Sequence, residues 1–252
     1  MLYKEFAPLK TDYETIVLSP TEIESVLNPS QYTLNDIKKR ACTLWTWNII
    51  EQIAWARVNE WREESYKLCK EWRDYINPNR MEFHSWKDNK EDKQFKWCYE
   101  NLEQISDLLE PYEQKGIYNI RSHNSLLEID YSWYKVLLKW EVDWWMYNEL
   151  WCWLFDMKTA KQKRNELEKW EFWNYQSRFY SYMMFLAHPE LTEITFEYLI
   201  VIKNKKPLLQ TCKRTFTKDE CEEFVKEKLK QYLTKLHAWE IQVDSNKTLN
   251  RL

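Results

Sequence analysis

The sequence predicts an α/β or α+β fold, in which a mixed central sheet is flanked by helices and preceded by a helical N-terminal region. Two patterns predict this. Apolar residues recur at helical spacing in the first half of the chain, and short runs rich in aromatic and branched residues follow one another after about residue 130. The 252 residues are enough for a sizeable core. We therefore expect a single domain over residues 1–252, mainly helical in 1–130 and with the sheet in 131–252.

The N-terminal half is predicted to hold two helical segments. The first covers residues 33–75, begins at the cap-like Thr33-Leu-Asn-Asp36 and is broken by Asn77-Pro78-Asn79. The second runs from about Asp92 to Leu109 and stops at Pro111.

Three short runs then predict consecutive antiparallel strands. They cover residues 134–139, 141–147 and 151–158, with a connection at Trp140 between the first two. A helix is expected over 166–187, where His188-Pro189 ends it.

The C-terminal part predicts a hairpin and a last helix. Residues 192–203 and 208–215 form the hairpin around Lys203-Asn-Lys-Lys206. The helix begins at Thr217, whose side chain can form a capping box with Glu220, and runs to about His237.

The composition restricts the classes of protein. The net charge of −3 gives no overall attraction to nucleic acid, so any DNA contact needs a local basic patch or a bound metal ion. No stretch approaches the roughly 20 apolar residues that span a bilayer, and the N-terminus lacks a secretory pattern. The six cysteines contain no C-x-x-C spacing, which argues against a structural zinc site. We expect a cytoplasmic protein without membrane contact.

The glycine and tryptophan contents are abnormal. The chain has 1 Gly and 16 Trp, whereas average usage of about 7% would give roughly 18 glycines. Trp140, Trp151 and Trp153 lie near predicted turns, where glycine would supply a positive φ. One hypothesis is that many of these tryptophans are glycines encoded by a reassigned stop codon. The alternative is a Trp-rich protein from an AT-rich genome.

Three side chains of the predicted strands suggest chemistry. Asp156 and Lys158 are two residues apart in a strand and so face the same side of the sheet. Asp143 lies in the preceding strand, and a hairpin between the two strands would bring both carboxylates together. Neighbouring carboxylates repel each other unless a divalent cation lies between them, and such oxygen ligands suit Mg²⁺ or Mn²⁺.

These residues resemble the motifs of a known family. Glu141-Val-Asp143 and Phe155-Asp156-Met157-Lys158-Thr159 resemble motifs II and III of PD-(D/E)XK nucleases of the RecB-like and phage exonuclease branch. Gln176-Ser-Arg-Phe-Tyr180 on the following helix resembles the Q-x-x-x-Y motif of the same branch. The resemblance covers residues 134–182. It implies a restriction-endonuclease-like core and a metal-dependent deoxyribonuclease.

The resemblance also implies roles for individual residues. Asp143, Asp156 and the carbonyl of Met157 would hold the metal, and Lys158 would orient the attacking water or stabilise the transition state. Gln176 and Tyr180 would hold the lysine, the water or the DNA backbone. Lys161, Lys163 and Arg164 are expected to contact phosphates. The family has a further acidic residue or histidine on an upstream helix, for which Glu51 is the candidate, as a further metal ligand, and His84 and His123 are the rival positions.

The expected function is exonuclease action in recombination, repair or phage replication. A site-specific endonuclease of the same superfamily and a non-catalytic DNA-binding or scaffold protein are the alternatives. Expected partners are DNA, with a single-strand annealing protein or a helicase and a homo-oligomer left open. Some relatives hold an iron–sulfur cluster with one early and three late cysteines, but the C-terminal part offers only Cys212 and Cys221. We therefore expect no cluster.

Overall fold

A computed structural model describes residues 15–27, 40–75, 90–113, 118–128, 135–147, 151–163 and 165–237. The predicted cap at Thr33–Asp36 and the candidate His84 lie outside these residues. The elements follow in the order β1 (Thr15–Leu18), α1 (Pro20–Leu27), α2 (Arg40–Asn59), α3 (Trp61–Tyr75), α4 (Lys90–Asp107), a 3-10 turn (Glu110–Tyr112), β2 (Tyr118–Glu128), β3 (Lys135–Tyr147), β4 (Cys152–Ala160), α5 (Glu166–Ala187), β5 (Glu193–Ile202), β6 (Leu208–Thr217) and α6 (Lys218–His237).

The six strands of the described residues form one sheet, and it is mixed, as the sequence predicts. Its order is β1-β3-β4-β5-β6, and β2 also pairs with β3. The neighbours β2–β3, β3–β4 and β5–β6 are antiparallel, whereas β1–β3 and β4–β5 are parallel. Parallel neighbours need a crossover connection, and α5 provides it between β4 and β5. The structure therefore belongs to the mixed α/β class.

Helices cover the sheet through two separate hydrophobic clusters. The first cluster joins α1, α5 and α6 to side chains such as Leu154 and Phe196. The second joins α2, α3 and α4 to side chains such as Phe155 and Leu199. Successive residues of a strand point to opposite faces, so Leu154 and Phe155 place the two clusters on opposite faces of β4. Within the described residues no helix has the length and apolar content needed to cross a membrane.

The prediction of a connection at Trp140 was wrong. Residues 135–147 form one strand, and Trp140 lies inside it opposite His123 of β2. The cause is β2, a strand whose mostly polar sequence carries little alternation and which pairs with β3 along most of its length. Because β1 and β2 precede residue 131, the sheet is not confined to residues 131–252.

The predicted helical run over 33–75 is divided near residue 60. The α2 helix ends at Asn59, the Glu60 amide still donates to the Ala56 carbonyl at 2.8 Å, and α3 begins at Trp61. Trp61 has a φ of 76°, the left-handed conformation that commonly ends a helix. The break between α2 and α3 therefore coincides with the left-handed backbone conformation of Trp61.

The predicted capping box at α6 is half formed. The Glu220 amide donates to Thr217 Oγ1 at 3.3 Å, which caps the helix as expected. The Glu220 carboxylate instead pairs with Arg178 of α5 and Arg214 of β6. The same glutamate therefore joins three elements.

Two observations bear on the hypothesis that tryptophans replace glycines. Trp61 is the one non-glycine residue with positive φ in the described part of the chain, a conformation that costs about 1–2 kcal/mol for residues other than glycine. The buried indole N–H groups of Trp55, Trp144, Trp145 and Trp153 have no hydrogen-bond partner among the described residues, although buried Trp N–H groups usually have one. Trp140 lies inside β3 and does not have a positive φ, so its position does not support the hypothesis that it replaces a glycine.

We predict that Trp61→Gly stabilises the protein, since glycine adopts positive φ without strain. The expected gain is about 1 kcal/mol, which raises Tm by about 2–4 °C in a domain of this size. The matched control is Trp72→Gly, inside α3, which removes a hydrogen bond to Gln52 and introduces glycine into a helix. It should lower Tm. A lower Tm for Trp61→Gly would contradict the prediction, and UGG codons at these positions would exclude the reassignment.

Candidate active site

The candidate site lies where β3 and β4 separate. Their antiparallel ladder runs from Tyr147↔Cys152 to Trp144↔Phe155 and ends there. The next residue of β3 beyond this last pair is Asp143, and the next residue of β4 is Asp156. From Asp156 onward β4 remains paired with β5, with Asp156 opposite Tyr198. The two aspartates therefore flank the point at which the strands diverge.

A β-bulge in β3 precedes this point. Ile120 of β2 pairs with Val142 and Tyr118 pairs with Trp145, so two steps along β2 correspond to three along β3. In keeping with this, Val142 belongs to the first hydrophobic cluster and Trp144 to the second, whereas an unbroken strand would direct both to one face. Bulges change the direction of a side chain, and this one adjoins Asp143.

Asp143 and Asp156 are both buried, with 6% and 3% of their surfaces exposed. The amide of Met157 donates a hydrogen bond of 2.5 Å to Asp143 Oδ2. Lys158 Nζ forms an ion pair with Asp156 Oδ2. The predicted convergence of two aspartates and a lysine is therefore present in the fold.

Burial is the main cause of the electrostatics at this site. It raises the pKa of Asp143 well above its ordinary value, and the charges of Asp156 and Glu51 raise this pKa further, while Lys158 and the Met157 amide oppose the shift. Burial also raises the pKa of Asp156, against the opposing effect of Lys158. Glu51 of α2 thus acts electrostatically on Asp143, although it comes from a distant part of the sequence.

The residues of the predicted Q-x-x-x-Y motif lie on α5. Tyr180 is buried and packs against Phe196, with ring centroids 6.4 Å apart. Gln176 is half-buried, and none of the described contacts joins it to Asp143, Asp156 or Lys158. Their predicted roles in holding the lysine or the substrate stay predictions.

Sequence reasoning missed Tyr198 and Ser177. Tyr198 is fully buried opposite Asp156, its hydroxyl hydrogen bonds with Ser177 of α5, and its ring lies 5.9 Å from Lys158 Nζ. Burial and the charge of Asp156 raise the pKa of Tyr198. In the sequence, Tyr198 lies within an apolar run that gives no sign of a functional role. Ser177, next to Gln176 of the Q-x-x-x-Y motif, was the one signal in the sequence that pointed to this part of the site.

The remaining candidates have different positions. Lys161 and Lys163 are exposed just after β4, and Arg164 lies outside the described residues. His123 belongs to β2 by its backbone, but its side chain is also outside them. Cys212 and Cys221 are buried in the first hydrophobic cluster.

The donor set suits a hard divalent cation in part. Asp143 and Asp156 supply two buried carboxylates on opposed strands, and carboxylate oxygens are the ligands that Mg²⁺ and Mn²⁺ prefer. Among the described residues no group of three or more His, Cys, Asp or Glu side chains could hold a metal ion by itself. A third ligand would therefore have to be a backbone carbonyl, such as that of Met157, or the more distant Glu51.

Comparisons with known proteins leave the family open. No protein-family model and no curated protein matches the chain. One solved structure, described as "Crystal structure of SSO0001", is similar over 90% of this chain and 80% of that chain, with 6% sequence identity and a TM-score of 0.32.

We predict that Asp143→Asn raises the stability of the metal-free protein at neutral pH. Because the folded pKa of Asp143 is raised, folding favours its protonated form. The stabilising contribution is complete below the pKa of an unfolded aspartate and is lost as the pH rises through the folded pKa. Asparagine removes the buried charge but can still accept the hydrogen bond from Met157.

Thermal unfolding in EDTA from pH 4 to pH 8 tests this prediction. The difference in Tm between Asp143→Asn and the wild type should grow with pH. Asp219→Asn, on the exposed first turn of α6, is the control and should show no such growth. A variant that is less stable than the wild type across the whole range would refute the prediction.

Proposed function

We propose that the chain is a metal-dependent deoxyribonuclease of the PD-(D/E)XK superfamily with a restriction-endonuclease-like core. The observation that carries the proposal is the placement of Asp143, Asp156 and Lys158 at the separation of β3 and β4. Burial raises the pKa of both carboxylates, the charge of Asp156 raises that of Asp143 further, and burying such groups costs stability. Such an arrangement is typical of functional sites, where perturbed ionisable groups cluster.

The protein's own residues support a division of roles. Asp143 and Asp156, with the Met157 carbonyl and Glu51, would hold Mg²⁺ or Mn²⁺. When bound, such an ion lowers the pKa of a water molecule and neutralises charge on a phosphate. The Asp143 carboxylate is fixed by the Met157 amide, so its free oxygen has a defined position.

Lys158 is suited to act on the reacting groups. Its side chain is 17% exposed, which keeps it accessible while Asp156 and the Tyr198 ring restrict its position. A positioned ammonium group can orient the attacking water or stabilise the negative charge that develops on the phosphate. Asp156 would then have two roles, as a metal ligand and as the partner that positions the lysine.

The sheet and its two helical layers are compatible with this proposal. β4 carries Asp156 and Lys158, α5 crosses over, and β5 returns parallel to β4 with Tyr198 beneath the lysine. The Gln176–Tyr180 motif favours an exonuclease over a site-specific endonuclease. A non-catalytic scaffold is the alternative from another class, but it gives no reason for two buried aspartates to adjoin a lysine.

A digestion assay tests the activity. We expect Mg²⁺-dependent cleavage of end-labelled linear DNA and none of circular DNA. Asp156→Asn and Lys158→Ala should each reduce cleavage on the order of 10²–10³-fold, the usual effect of removing one positioned charge-stabilising group. The matched controls are Glu222→Gln and Lys226→Ala, which remove the two members of an exposed ion pair on α6. They should cleave as the wild type does.

Each outcome of that assay has a definite meaning. Cleavage of circular DNA would assign the protein to the endonuclease alternative. Absence of cleavage by the wild type with Mg²⁺ and Mn²⁺, or full activity of folded Lys158→Ala, would refute the proposed mechanism.

The acidic residue or histidine that the family has on an upstream helix can be identified by comparing the cleavage rates of three variants. We expect Glu51→Gln to lower the rate of cleavage by at least about tenfold, because Glu51 acts on Asp143 through its charge. His84→Gln and His123→Gln should leave the rate within about twofold of the wild type. The rate at saturating Mg²⁺ and the Mg²⁺ concentration for half-maximal rate are the measurements. A larger loss in either histidine variant would transfer the role to that histidine.

A further inference from the structure

Two segments of this weakly acidic chain carry only positive charges. Residues 158–164 contain three lysines and an arginine, and residues 198–218 contain five lysines and an arginine. Neither segment contains an aspartate or a glutamate, although the whole chain has 40 acidic and 37 basic residues. These segments therefore have local charges of +4 and +6 in a chain whose net charge is −3.

The fold joins the ends of these segments. β4 and β5 run parallel to their last pair, Ala160↔Ile202, and the Lys203 amide then donates to the Ala160 carbonyl at 2.8 Å. The residues after β4 and the turn between β5 and β6 thus lie side by side. Five lysines project from them, and we call this set the lysine surface: Lys161, Lys163, Lys203, Lys205 and Lys206.

Exposure and electrostatics agree with this placement. Lys161, Lys163, Lys205 and Lys206 are exposed, and Lys203 is half-buried. Burial lowers the pKa of Lys203, and the positive charge of Lys161 lowers it further. The positive charges of neighbouring lysines repel each other, and the phosphates of a bound polyanion would offset that repulsion.

The lysine surface continues directly from the candidate active site. Asp156 and Lys158 precede Ala160 in β4, and residues of a strand advance by about 3.3 Å each, so Lys161 lies on the order of 10 Å beyond Lys158. Adjacent phosphates of one strand of DNA are several ångströms apart. A DNA strand with one phosphate at Lys158 can therefore place following phosphates at the lysine surface.

We propose that the lysine surface binds the phosphate backbone of DNA next to the phosphate that is cleaved. This inference rests on the proposed nuclease function and extends it, since the β5–β6 turn contributes three of the five lysines. The contacts are to phosphates, so they add affinity without sequence preference and weaken with salt.

Binding of a labelled oligonucleotide duplex in EDTA, measured by fluorescence anisotropy, tests the proposal without cleavage. Lys205→Glu combined with Lys206→Glu should weaken binding about tenfold or more and reduce the slope of log K against log salt by about 1–2. The control combines Lys70→Glu on α3 with Lys230→Glu on α6, both exposed and on other elements. It makes the same change in net charge and should bind within about twofold of the wild type.

The result that overturns the proposal is equal binding by the two double variants, whether both bind normally or both bind weakly. Equal weakening would mean that overall charge, and not this surface, controls affinity. Circular dichroism should show that both double variants are folded. If Lys205→Glu with Lys206→Glu is not folded, the double variant Lys161→Ala with Lys203→Ala replaces it in the binding measurement.

Cleavage of bis(p-nitrophenyl) phosphate with Mg²⁺ or Mn²⁺ separates this proposal from the nuclease function. This small diester occupies the candidate active site alone, so Lys205→Glu with Lys206→Glu should cleave it as the wild type does. If the wild type cleaves neither this diester nor DNA, the nuclease function fails, while the anisotropy result still decides whether the lysine surface binds DNA.

Discussion

The hydrogen bond from the Met157 amide to Asp143 holds the candidate site together. The backbone ladder between β3 and β4 ends at Trp144↔Phe155, which leaves the next amides of β4 in need of partners on that side. A buried amide without a partner costs about as much as a lost hydrogen bond. The Asp143 carboxylate satisfies the Met157 amide, and in doing so it remains beside Asp156 although the strands have separated.

Burial of two carboxylates at the candidate site lowers the stability of the fold. Asp143 and Asp156 are both buried, and Lys158 pairs with Asp156. One lysine cannot compensate two carboxylates, and the pKa of each remains raised. A purely structural role would be served better by one aspartate paired with one lysine. Under the proposed function, a cation that binds there accounts for the second aspartate more simply than a requirement of the fold does.

The sequence was sufficient for those parts of the fold that depend on local patterns. The helix over 166–187 ends at His188-Pro189, the hairpin after it has the polar turn Lys203-Asn-Lys-Lys206, and the structure confirms both elements. A hairpin between β3 and β4 was also expected to bring Asp143 and Asp156 near each other, and the two strands do pair antiparallel. The strand β2 and the continuity of β3 at Trp140 were not predicted, because polar residues pair there through their backbones and leave no hydrophobic pattern. Tyr198 was missed because its position depends on parallel pairing across a helix.

The same parallel pairing explains how an acidic protein can present a positive surface. Along β4 and the residues after it the charge changes from negative at Asp156 to positive at Lys158 and stays positive through Lys163, and the turn after β5 adds Lys203 beside Ala160. A polyanion approaching from solvent meets the exposed lysines before the two buried aspartates. Because screening at physiological salt limits such attraction to about 8 Å, the net charge of −3 matters less than this local order. Under the proposed nuclease function, this charge pattern favours binding of the DNA backbone first and entry of a single phosphate into the acidic site second.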